Sequence, residues 1–218
     1  MAVVISPLIL SLIVFLVSFF AVKGAFGPYL SALSLLIPAN EPLESTVPEN
    51  VFVPYEEIPS TDGTVAAPDE ISIRDIDYPK IGELYGRITF VRLGLDVDLR
   101  FNDNAASLKG GNAGQYYGTL PVGFGSPVLI CGHNNGKFNN LQYVEIGDEI
   151  KITTSYGIFV YQVTALERHT VDDKSAFNLN QDKEQLILYT CYPFYTLGLT
   201  NVRYFVYADK ISGPLVRQ

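Results

Sequence analysis

A basic stripe, a C-x-x-C pair, an internal repeat and a sustained helical period are all missing from this 218-residue chain. Without a basic stripe, nucleic acid is not an expected partner. The net charge of −8 comes from one segment. Residues 39–79 hold ten acidic residues against Arg74 alone, while residues 80–218 balance 13 acidic with 13 basic residues. Without C-x-x-C, and with Cys131-x-His133 tighter than structural zinc spacing, Cys131, His133, His169 and Cys191 are not expected to bind zinc. A Cys131–Cys191 disulfide stays open outside the cell, but it would tie up both thiols. The weak helical period leaves room for short helices only, at Asn104–Lys109 and Lys137–Val144.

Charge is also nearly missing from the first 38 residues, where Lys23 is the one charged side chain. Ala2–Val22 is a run of 21 residues, apolar but for Ser6, Pro7, Ser11 and Ser18. At about 1.5 Å per residue it spans a bilayer core of about 30 Å. It exceeds a signal-peptide core and no clear small-x-small cleavage site follows, so a retained transmembrane helix is expected, with a juxtamembrane segment to residue 38. Lys23 follows the span and no basic residue precedes it, so charge alone does not set the anchor's direction. Residues 39–79 add Pro42, Pro48, Pro54, Pro59 and Pro68 to their acidity, which makes them an extended spacer. The alternating Val51, Val53 and Ile58 could still dock loosely on the domain that follows.

From Lys80 on, short runs rich in Val, Ile, Tyr and Phe alternate with turn signals. Candidate strands are Arg87–Leu95, Val97–Phe101, Pro127–Cys131, Asp148–Thr153, Ile158–Leu166, Gln185–Cys191 and Val202–Ala208. Several are apolar on both faces, which suits a closed all-β barrel better than a one-sided sheet. The glycine-rich stretch from Gly110 to Gly125 reads as loop.

Three reactive side chains stand at the ends of these runs. His133 follows PVLIC in ICGHNNGKF, Cys191 ends LILYTC, and Arg203 begins NVRYFVYA. Taken singly, a strand-end cysteine is more often packing, a histidine in a Gly-Asn turn more often a turn residue, and a strand-end arginine more often solvated. Together they make coherent chemistry. A thiolate attacks an amide carbonyl, a histidine protonates the leaving amine, and an arginine stabilises the oxyanion. Arg203 lies 12 residues after Cys191, a length suited to a loop between adjacent antiparallel strands. Cys131, inside an apolar run, reads as core, and His169, in ERHTVDD, reads as an exposed loop residue.

At these residues the chain resembles the sortases, membrane-anchored cysteine transpeptidases of Gram-positive bacteria built on an eight-stranded β-barrel. The resemblance covers roughly Lys80 to Ile211 and is carried, in order, by IGELYGRITFVRLGL, LKGGNAGQYYGTLP, VLICGHNNGKFNNLQYVEIGDEI, LILYTCYPF and NVRYFVYA. It implies that Cys191 is the nucleophile, His133 the general acid and Arg203 the oxyanion or positioning residue, with Thr190 beside the bound substrate. The implied substrate is a surface protein with an L-P-x-T-G-like signal, cut between Thr and Gly. The implied acceptor is a peptidoglycan amine or a pilin lysine, and no cofactor or metal is implied. An outward-facing domain on the cell membrane follows from the same likeness. TCYPF followed by Gly198 looks most like class D. The Asp-Pro-aromatic lid motif of pilin-polymerising class C enzymes is replaced by Asp77-Tyr78-Pro79, and Gln115 stands where many relatives have a non-catalytic histidine.

The rival readings are an L,D-transpeptidase, a cysteine peptidase that hydrolyses the same signal, and a tethered β-barrel binding module with a fortuitous cysteine. The first needs a compact His-Gly-Cys string, which this chain lacks.

Overall fold

The computed structural model describes Pro54, residues 69–196, Gly198 and residues 200–217. The expected membrane span Ala2–Val22, its juxtamembrane segment and the spacer up to residue 68, Pro54 apart, lie outside the described residues. Among the described residues no helix is long and apolar enough to cross a membrane.

The β-branched and aromatic runs form β1 (Glu70–Ser72), β2 (Leu84–Phe90), β3 (Leu95–Phe101), β4 (Ala113–Gln115), β5 (Val128–Cys131), β6 (Glu149–Thr154), β7 (Ile158–Thr170), β8 (Gln185–Tyr192), β9 (Val202–Ser212) and β10 (Leu215–Arg217). Eight of them close a barrel in the order β2-β3-β4-β5-β8-β9-β7-β6, as expected for a chain with two-faced apolar strands. The end of the acidic segment packs on this body. β1 pairs in parallel with β10, Ile76 is buried in the core, and Tyr78 meets Phe101 and Phe124 edge-on.

Alternation along the strands divides the apolar residues into two sets. Ile88, Leu99, Ile130, Ile152, Phe159, Leu186, Leu188 and Val206 point inward and fill the barrel. Leu129, Ile187 and Phe205 point outward and are covered by Ala176 and Leu179 of the loop joining β7 to β8. That outer cover is why β5 and β8 are apolar on both faces. Each fully buried Leu or Ile contributes about 1.5–3 kcal/mol relative to exposure.

Three local expectations need correction and one gains detail. The run Arg87–Leu95 is not one strand. It breaks after Phe90 and turns through residues 91–94, where Gly94 takes a left-handed φ of 58°. Ala113–Gln115, read as loop, is a barrel strand held in parallel to β3 and antiparallel to β5. Residues 104–108 form turns rather than a helix: the Asn104 side chain accepts from Ser107 N at 2.9 Å and its carbonyl from Leu108 N at 3.1 Å, but the turn is not continued, and Lys109 opens a three-residue 3-10 helix in which Gly110 takes a left-handed φ of 76°. Lys137–Tyr143 is helical, but as a 3-10 helix.

Candidate active site

β5 and β8 run in parallel with Cys131 opposite Tyr189, so the residue after β5 arrives beside the end of β8. Gly132 N donates to Tyr189 O at 3.3 Å, and Thr190 Oγ1 donates to Gly132 O at 2.7 Å. Thr190 is fully buried, and its hydroxyl is committed to the turn that carries His133. Only glycine fits at 132, since a Cβ there would lie 2.7 and 2.8 Å from the ring edges of buried Phe138. His133 itself is exposed, at the head of a turn closed by Gly136 N to His133 O at 3.0 Å.

β8 and β9 are antiparallel with Cys191 directly opposite Arg203. The spacing argument for their adjacency therefore holds. Alternation puts Cys191 on the outer face with Ile187 and Tyr189, and Arg203 on that face with Phe205 and Tyr207. Cys191 is partly exposed and both cysteines are free. Arg203 is anchored through one nitrogen: Nη1 donates to Thr200 O at 2.8 Å, Val202 O at 3.1 Å and Thr200 Oγ1 at 3.2 Å. The three expected residues thus converge on one end of β5, β8 and β9.

The Sortase domain family model matches residues 89–211, over half of the chain. The chain belongs to the sortase family. It is 27% identical over 180 residues to Sortase D of Bacillus subtilis strain 168, covering 81% of this chain and 88% of that protein. Among solved structures it resembles the Sortase D5 transpeptidase of Clostridium perfringens at 28% identity and a TM-score of 0.55, covering 62% of this chain and 82% of that one. It also resembles sortase C1 of Streptococcus agalactiae at 26% identity and a TM-score of 0.53, with 58% and 66% covered. The protein is therefore a cysteine transpeptidase, and the binding-module reading falls.

The sortase has two thiols in contrasting settings. Cys131 is buried on the outer face opposite Tyr189, and burial pushes its thiol up to about 12, against a smaller pull from the Tyr189 hydrogen bond. It is held protonated and inert at neutral pH. Gln115 is buried in β4. Its Nε2 donates to Thr119 Oγ1 at 3.1 Å and Leu120 O at 2.8 Å, while its Oε1 accepts from Tyr85 Oη, so it organises the turn after β4. Among the described residues no group of three or more His, Cys, Asp or Glu side chains is arranged to hold a metal ion.

Two residues near the site were misread or missed. His169 is not in an exposed loop. It lies in β7, opposite Arg203, with its side chain 16% exposed and its ring edge-on to Phe205. Its Nδ1 meets Asp173 and its Nε2 meets Glu167, both at 2.7 Å. These carboxylates, Asp173 foremost, raise its pKa above the ordinary histidine value. Asp173, held down to about 2 by Ser175 and then His169, stays ionised over the same range. A folded pKa above the unfolded one makes His169 contribute stability in full below about pH 6.5, and that contribution is lost as pH climbs through the raised value. The Tm advantage of the wild type over His169→Gln should be largest near pH 6 and shrink as the solution turns alkaline. Parallel Tm–pH curves would remove this role. The signal was present in the sequence, as acids two before and four after the histidine. The second residue, Asn134, follows His133 in the GHNN string, and its partners lie about 60 positions away.

Proposed function

We propose that this sortase cleaves an L-P-x-T-G-like sorting signal between Thr and Gly and transfers the protein to a peptidoglycan amine. In this reading Cys191 attacks the threonine carbonyl, the C–N bond breaks, and His133 gives its proton to the departing glycine amine. The acyl group is held as a thioester on Cys191. An incoming amine attacks it, loses a proton to His133, and the thiolate leaves. Arg203 donates to the oxyanion in both steps. Thr190 borders the bound signal from beneath, through the turn it fixes. The observation that carries the reading is the in-register pairing of Cys191 with Arg203 on β8 and β9, beside the turn of His133.

The anchor at Ala2–Val22 and the acidic spacer would tether the domain to the outer face of a Gram-positive cell membrane, within reach of substrate and wall. A pilin-polymerising role is the second reading, because a pilus-related sortase C of group B Streptococcus is among the similar structures, at 25% identity and a TM-score of 0.54. Against it, Tyr78 of the Asp77-Tyr78-Pro79 string packs on Phe101 and Phe124, which are not among the candidate site residues.

Mass spectrometry of the enzyme with a library of sorting peptides should reveal an acyl adduct on Cys191. With an added amine, the transferred product should displace the free acid. Hydrolysis alone at saturating amine would favour a peptidase, and no adduct with any signal would overturn the substrate class.

A further inference from the structure

His133 is exposed, yet the backbone on both sides of it is tied to the strand of Cys191 and the chain beyond. On the N-terminal side, Gly132 O accepts from Thr190, as described above. On the C-terminal side, Asn134 is 6% exposed, and its Nδ2 donates to Pro193 O at 2.9 Å and Thr196 O at 3.2 Å. Both partners are carbonyl oxygens, which only accept, so the amide must present its NH2 to them. Pro193 lies two residues after Cys191. A single buried side chain thus joins the chain leaving the cysteine to the chain leaving the histidine.

We propose that Asn134 is a positioning residue that sets His133 against Cys191. The inference rests on the roles of those two residues under the function proposed above. The Asn134 side chain makes its hydrogen bonds to main-chain carbonyls and makes none to the Cys191 thiol. Its two bonds fix the turn that carries His133 against the turn that follows Cys191. Without them, the two hydrogen bonds at Gly132 would tie the histidine turn to β8 on its N-terminal side only, and the turn could pivot there. A shift of about 1 Å in a reacting group costs up to about 100-fold in rate.

The test is a double-mutant cycle between Asn134→Ala and His133→Ala, read by the rate at which iodoacetamide alkylates Cys191 near pH 7. Alkylation stays measurable when turnover is lost. In the wild-type background Asn134→Ala should slow alkylation and lower kcat by roughly 10- to 100-fold, with KM changed less than about twofold. In the His133→Ala background it should change alkylation by less than about twofold, because there is no imidazole left to misplace. Equal losses in both backgrounds, or no loss in either, would overturn the proposal. The roles of Cys191 and His133 are read separately: if His133→Ala alone leaves turnover intact, the proposed mechanism fails, whatever Asn134 does. Asn134→Asp guards against a misfolded alanine variant. It keeps the volume but sets a carboxylate against two carbonyls, so its kcat should fall at neutral pH and recover relative to wild type as acid restores a donor. A pH-independent ratio would count against the proposal.

Discussion

Cys191→Ala should lose cleavage by roughly 10⁴- to 10⁶-fold, the scale at which removing a nucleophile disables hydrolases that form acyl-enzymes. The fold should survive. Cys191 is partly exposed at the end of β8, so truncation removes little packing, and the stability change should stay within about 1 kcal/mol. Cys131→Ala is the matched control, one strand away on the same outer face. It deletes a buried thiol, so it should cost about 1–2 kcal/mol while leaving kcat within a few-fold. The thiols should also separate chemically. With a pKa of about 12, Cys131 is ionised at about one part in 10⁴ at pH 8. A thiol probe on the native enzyme should therefore label Cys191 and spare Cys131 until the protein unfolds. Peptide mapping after labelling reads this directly. Near-wild-type cleavage by Cys191→Ala, or equal labelling of both thiols, would sink the nucleophile assignment.

What the sequence disclosed follows from how local each feature is. The strands buried on both faces, PVLIC and LILYTC, were legible because burial leaves an uninterrupted apolar signature. β4 was not, because Ala113–Gln115 owes its strand conformation to β3 and β5 on either side, and glycine hides it. The end of β7 reads as loop because ERHT is polar. Its polarity belongs to a strand that runs along β9, where Glu167 and Asp173 hold His169 edge-on to Phe205. The same division runs through the site. Cys191, His133 and Arg203 were legible as reactive types at strand ends in a particular order. Asn134 was not, because its role lies in carbonyl acceptors on a distant turn, and an asparagine beside glycine looks like any loop residue.

Arg203→Ala should lower kcat by roughly 10²- to 10³-fold, the loss typical when one oxyanion donor is removed. The argument rests on how the side chain is held. Nη1 spends its donors on Thr200 and Val202, which fixes one corner of a planar group. Planarity then fixes Nε and Nη2 without further contacts, on a residue that the register sets opposite Cys191. Lysine cannot reproduce this. Its ammonium has three donors on one atom, so serving the Thr200 and Val202 carbonyls takes it away from the oxyanion. Arg203→Lys should therefore recover no more than about tenfold of the alanine loss, although the charge is kept. The interaction strengthens as the carbonyl becomes an oxyanion, so the loss belongs in kcat more than KM. If Arg203→Ala raises KM and spares kcat, the guanidinium binds the signal in its ground state and takes no part at the oxyanion. Thr200→Val separates anchoring from donation. It removes the 3.2 Å bond to Oγ1 but keeps the 2.8 Å bond to the Thr200 carbonyl, so it should cost less than tenfold. A Thr200→Val loss as large as that of Arg203→Ala would mean that the anchor, rather than the free edge of the guanidinium, is what the reaction depends on.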